Sequence, residues 1–225
     1  MDAQAPAMND RWLWPLRLAL LLPAIAVLFA ALPRFISGLA LEAAFPAPAY
    51  MQMNVPLPKN YYGDAAQILS HAPSSDGDTQ LWRAEALLRN GRPDEAEPVA
   101  AAALSRDPAS ARGWIVLSET LQKRDPQKAA AALALSLELA PREYFLMPPQ
   151  MQAGAPLWRY LPPNAQDRLV EDARWLIGSE QLRPALRDLL ATEGGPALVT
   201  RAFAGHSNEL RALNRELARE RLGLH

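Results

Sequence analysis

Three histidines, His71, His206 and His225, are the side chains best suited to bind a metal in this chain of 225 residues. They lie far apart in the sequence, so a shared site would need long-range convergence, and they read as solvated side chains near turns and the terminus. Cysteine is absent, which excludes disulfides, thiolate nucleophiles, zinc–cysteine sites and iron–sulfur clusters. Asp94, Glu95 and Glu97 lie close together, but acidic side chains belong in the first turn of a helix, where the dipole favours them. Glu171 and Asp172 read as a solvated face. Ser118 and Ser136 fall at helix contact positions, not on a sharp turn that would present a nucleophile. The eleven glycines are scattered at turns and form no phosphate-cradling loop. No catalytic, metal or cofactor site is expected, and no small-molecule substrate. An envelope hydrolase is the weakest alternative, because it needs carboxylates to converge from afar. With 23 basic residues against 24 acidic ones, the net charge of −1 gives no reason to expect nucleic acid.

The most decisive element is apolar. From Trp12 to Pro33 the only charge is Arg17, enough length to cross a hydrocarbon core of roughly 30 Å. Trp12 and Trp14 suit the interface, and Arg17 can extend to the headgroups. Arg11 and Arg17 favour an N-terminus in the cytoplasm, with everything after Arg34 on the other side. The rival is a cleavable signal peptide, with Leu18 to Leu32 as its apolar region and Ser37 to Ala40 as a poor small-x-small cleavage site. Lipidation at an N-terminal cysteine is excluded. From residue 34 to Pro58 the repeated prolines Pro46, Pro48, Pro56 and Pro58 predict an extended tether whose apolar residues hug the membrane or the domain.

Beyond the tether, amphipathic helices alternate with breaker-rich turns, and two stretches superpose when shifted by 33 residues. Leu81, Ala84 and Leu88 fall on Trp114, Leu117 and Leu121. Pro93 falls on Pro126, Ala96 on Ala129, Ala100 on Leu133, Ala103 on Ser136 and Pro108 on Pro141. The stretch Gly91 to Pro108, GRPDEAEPVAAAALSRDP, sets a turn glycine before small residues at Ala96 and Ala103 and a closing Asp107-Pro108. This pattern resembles the tetratricopeptide (TPR) repeat, a helix hairpin with small residues where its helices touch. The second copy has Arg124 where the first has Gly91, and Pro98 should bend the second helix of the first unit.

The resemblance implies an all-α fold: one N-terminal transmembrane helix, then a TPR-like helical-hairpin (α-solenoid) domain with C-terminal capping helices. The expected divisions are a leader at 1–11, a transmembrane helix at 12–33, the tether at 34–58, repeats at 59–141, a connecting loop at 142–163 and C-terminal helices at 164–225. Two units cannot cover their own apolar faces. Tyr61 to Ser70 should cap one end, through Ala65, Ala66, Ile68 and Leu69. At the other end, Leu169, Ala173 and Leu176 mark one capping face. Tyr144, Phe145, Leu146, Trp158 and Tyr160 are expected to plug the stack, with an exposed binding loop as the alternative. A last helix carries Leu210, Leu213 and Leu217 on one stripe and Arg211, Arg215 and Arg219 on another, interleaved with glutamates.

By the geometry of the family, the first helix of each repeat lines a partner groove, which places Trp82, Arg89, Arg112, Glu119 and Gln122 there. The expected function is a periplasmic scaffold or adaptor, anchored in the bacterial inner membrane, that binds membrane or periplasmic proteins during assembly of an envelope system. The alternative is a structural accessory subunit of a larger membrane complex, such as one for envelope polysaccharide polymerisation or export.

Overall fold

The computed structural model describes residues 13–44, 47–52, 57–73, 76–177 and 189–205, together with positions 208, 211, 215 and 219. Among them there are helices and no strand. Helix α1 runs over Leu13–Ala43, and its Ala19–Ala43 portion is long and apolar enough to cross a membrane. Most of its apolar side chains face away from the rest of the chain, Leu20, Val27 and Phe29 being 67–71% exposed. Only toward its C-terminal end does Ser37 become buried and do Ala40 and Leu41 pack against the helical domain. Such a helix is not the core helix of a soluble domain. An anchor or a signal sequence remains.

The expected end of α1 at Pro33 and the extended tether after it are both corrected. Between Pro33 and Pro46 no residue stops a helix, so α1 continues for ten residues past Pro33. Pro33 cannot donate to the Phe29 carbonyl, and beside that gap Arg34 donates from its guanidinium to the Ala30 carbonyl at 3.2 Å. A short helix α2 (Ala47–Gln52) follows, with Pro48 in its first turn, where a missing N–H costs nothing. Ala44, Ala47 and Met51 are buried against Tyr62, Ala65, Ala66 and Leu69 of α3 (Lys59–Leu69). Apolar side chains in this stretch gain more by burial than by remaining in an extended linker.

Two hairpins form the centre, α4 (Gly77–Arg89) with α5 (Pro93–Leu104) and α6 (Ala111–Leu121) with α7 (Pro126–Leu139). Their starts follow from local chemistry. Asp76 accepts from the Thr79 amide, Ser110 from that of Gly113 and Asp125 from that of Lys128, while Pro93 and Pro126 open α5 and α7. Pro98 is accommodated inside an unbroken α5.

The second helices repeat at 33 residues: buried Ala96, Ala100, Ala103 and Leu104 correspond to buried Ala129, Leu133, Ser136 and Leu137. The first helices do not. Leu81, Ala84 and Leu87 match in burial Ile115, Ser118 and Leu121, a shift of 34. The expected alignment of Leu81 and Ala84 on Trp114 and Leu117 is therefore one residue off. The cause lies in the turns. Gly91, at φ 80, lets the Arg92 amide reach back to the Leu87 carbonyl at 2.9 Å, a glycine-capped helix end. Arg124 cannot take that conformation cheaply, so the Asp125 amide closes on Leu121 at 2.8 Å and the hairpin is one residue shorter.

The segment expected as a connecting loop contains a helix, α8 (Met147–Leu157), and a 3-10 turn at Trp158–Tyr160. Pro148 and Pro149 sit in its first turn, which explains how a proline pair coexists with helix. Met147, Met151 and Leu157 are buried, and Leu146, Trp158 and Tyr160 pack against them, so this segment plugs the stack. Phe145 does not join the plug, being 68% exposed. Helices α9 (Pro163–Ile177) and α10 (Gly195–Ala202) complete the cap, with Leu169, Ala173, Leu198 and Val199 buried. Gly154 lets α8 approach α9 so closely that a Cβ would meet the Leu169 side chain. Of the final basic row, Arg211, Arg215 and Arg219 are helical and exposed. Leu176, Leu210, Leu213 and Leu217, as well as His206 and His225, lie outside the described side chains.

Candidate partner-binding groove

The inner faces of α4 and α6 meet the segment after α7 around a cavity of about 400 Å³. Met51, Ile115, Val116, Phe145, Leu146 and Pro149 supply apolar walls, and Glu85, Arg89, Arg112, Glu119 and Glu143 the charges. Three of the five expected groove residues, Arg89, Arg112 and Glu119, thus come together. Trp82 stands beneath them, its ring 3.2 Å from the Arg112 guanidinium and its far side packed against the α3 core. Gln122 is turned elsewhere, donating to the Ala153 carbonyl of α8 at 3.5 Å.

Glu85 organises the floor. Nearly buried, it accepts from Arg112 Nε at 3.0 Å and Nη2 at 2.5 Å, with Arg89 3.8 Å from its other oxygen. Arg112 is therefore held flat between Trp82 and Glu85, a stacked and charge-assisted arrangement that lysine would not reproduce. Glu85 was not expected from the sequence. The signal for it is the 34-residue register of the first helices, which sets Glu85 and Glu119 at equivalent positions, whereas the 33-residue shift pairs Glu119 with Ala86.

Residues 77–120 match the family model of the tetratricopeptide repeat. This stretch is a tetratricopeptide repeat. It covers α4, α5 and most of α6, so both groove-lining helices fall within the TPR match. No curated protein and no solved structure matches the chain. TPR units generally serve protein–protein interaction. Among the described residues no three histidine, aspartate or glutamate side chains converge to hold a metal, and His71 is exposed.

Burial is the dominant influence on Glu119 and lifts its carboxyl from about 4.5 to about 7; Arg89 pulls it down and Glu85 pushes it up. Unfolded, the group titrates near its ordinary value, so between pH 4.5 and 7 the folded chain holds a proton that the unfolded chain releases. Stability therefore falls as pH rises through this window, and the penalty is complete above about pH 7. Glu119→Gln is expected to raise the melting temperature at pH 8, by a stabilisation on the order of 1–2 kcal/mol because the group is partly exposed, and to leave it unchanged at pH 4. An equal difference at both pH values would rule out the proton as the cause.

Proposed function

We propose that the chain is a membrane-anchored adaptor of the bacterial envelope, held in the inner membrane by α1, whose periplasmic TPR domain binds a segment of a protein partner in the groove between α4 and α6. The cavity itself carries this reading. It is concave, walled by apolar side chains and floored by fixed charges, the combination that lets a site both bury and orient a chain. The basic leader supports the orientation, and the exposed apolar length of α1 supports retention in the membrane.

Two measurements test it. A photo-crosslinking amino acid in place of Phe145, at the mouth of the cavity, is expected to trap a discrete partner in cells, whereas one in place of exposed Ala101 on α5 traps none; equal adducts would sink the groove. Carbonate extraction is expected to leave the protein in the inner-membrane fraction, and an N-terminal sequence beginning near Leu41 would identify a cleaved signal instead.

A second reading has its own observation. Leu135 and Leu139 on α7 are 41% and 45% exposed and Trp175 on α9 is 57% exposed. Tyr144 packs edge-on against both Phe145 and Trp175, at 5.5 and 6.0 Å. An apolar surface that extends beyond the groove onto α7 and α9 favours an accessory subunit packed permanently in a larger complex, of which envelope polysaccharide polymerisation or export is one case. Crosslinkers at Leu139 and Trp175 that trap a partner while the Phe145 site stays silent would establish it.

A further inference from the structure

The two repeats treat equivalent carboxylates differently. Glu85 receives its cation from the next repeat: Arg112 comes across from α6, its guanidinium stacked on Trp82 and hydrogen-bonded to the carboxylate. Glu119, 34 residues later in the same register, would receive its cation from a third unit. The residue 34 positions after Arg112 is Leu146, which is apolar and lines the cavity. Arg112 is committed to Glu85, whereas Arg89, 3.8 Å from that carboxylate, is shared: its charge acts on Glu119 as well, but among the described residues no guanidinium is hydrogen-bonded to Glu119 as Arg112 is to Glu85. Among the described residues lining the cavity, three carboxylates, Glu85, Glu119 and Glu143, face two guanidiniums. Glu143 is exposed at the rim, whereas Glu119 lies between the helices.

We infer that the groove takes a partner segment bearing one lysine or arginine beside large apolar side chains, its cation meeting Glu119 as Arg112 meets Glu85 and its apolar neighbours lying on Ile115, Val116 and Phe145. The inference rests on reading the cavity as the partner site and adds the chemistry of the occupant. Charge complementarity favours a basic segment over an acidic one, because an incoming carboxylate would face Glu119 and Glu143. A cation also removes the cost of ionising a carboxyl that burial disfavours, so binding and deprotonation of Glu119 are coupled.

The test is selection of phage-displayed random dodecapeptides on the full-length protein in nanodiscs, in parallel with Glu119→Gln and Phe145→Ala, each checked for fold by circular dichroism. The wild-type protein is expected to enrich peptides with lysine or arginine next to bulky apolar residues. Glu119→Gln is expected to lose the basic preference and keep the apolar one. A selected lysine peptide should bind the Glu119→Gln protein about tenfold more weakly, and should bind the wild type more weakly at pH 6 than at pH 8. Enrichment of acidic peptides, of peptides without charge preference, or of the same basic peptides on Glu119→Gln overturns the inference but leaves the groove standing. Selected peptides whose binding is untouched by Phe145→Ala, or no enrichment at all, overturn the groove as well.

Discussion

Gly194→Ala is expected to loosen α10 from α8 and to lower the melting temperature on the order of 10 °C, measured on the full-length protein in detergent. Gly194 sits at φ 77, in the left-handed region, where any other residue but asparagine or aspartate is strained. It also touches the Ala155 backbone so closely that a Cβ would run into the Ala155 carbonyl oxygen, an atom that cannot rotate away. Backbone strain and overpacking together cost about 2–5 kcal/mol. Gly91→Ala is the matched control: its φ is 80, yet nothing lies within 4 Å of the added carbon. That change should cost only the strain, about 1 kcal/mol. Equal losses at the two glycines would mean that α10 does not rest on α8 as described.

The second large effect is expected at Ala103. Its side chain is 4% exposed and joins Leu81, Ala84, Ala100 and Val116 in one apolar cluster, where α4, α5 and α6 meet. Ala84 and Ala100 are fully buried, so the helices are close and the added atoms of leucine have no room. Ala103→Leu should destabilise by about 1–3 kcal/mol. Ala101→Leu, two residues away on the exposed side of the same helix, makes the same chemical change and should be nearly neutral. Glu97, intuitively a solvent position, is a poorer control because its carboxylate is paired with Arg124 of the second hairpin. If thermal melts placed Ala103→Leu and Ala101→Leu together, the hairpin packing would be wrong.

Alternation between apolar stripes and breakers made the hairpins legible, because each helix has to bury one face and stop at a proline, glycine or capping side chain. Ala65, Ala66 and Leu69 of α3, and Leu169 and Ala173 of α9, are buried as their spacing predicts. The continuation of α1 beyond Pro33 to Ala43, the short helix Ala47–Gln52 and the helix Met147–Leu157 were not legible as helix, since each adjoins or contains prolines. Position within the first turn decides whether a proline breaks or begins a helix, and composition alone does not reveal it. The lining of the cavity proposed as a groove was legible only in part. Arg89, Arg112 and Glu119 follow from repeat geometry, but Glu85 was hidden by a register that changes from 33 in the second helices to 34 in the first. Local pattern therefore determined the helical class, the apolar N-terminal helix and the hairpin pairing, since each depends on side chains near one another along the chain. Only the tertiary structure decided that Arg112 is stacked on Trp82 and spent on Glu85, that Gln122 turns to α8, and that Glu119 is left beside an apolar wall. Those outcomes depend on which groups from distant helices are removed from water together, and on which charges find partners when they are.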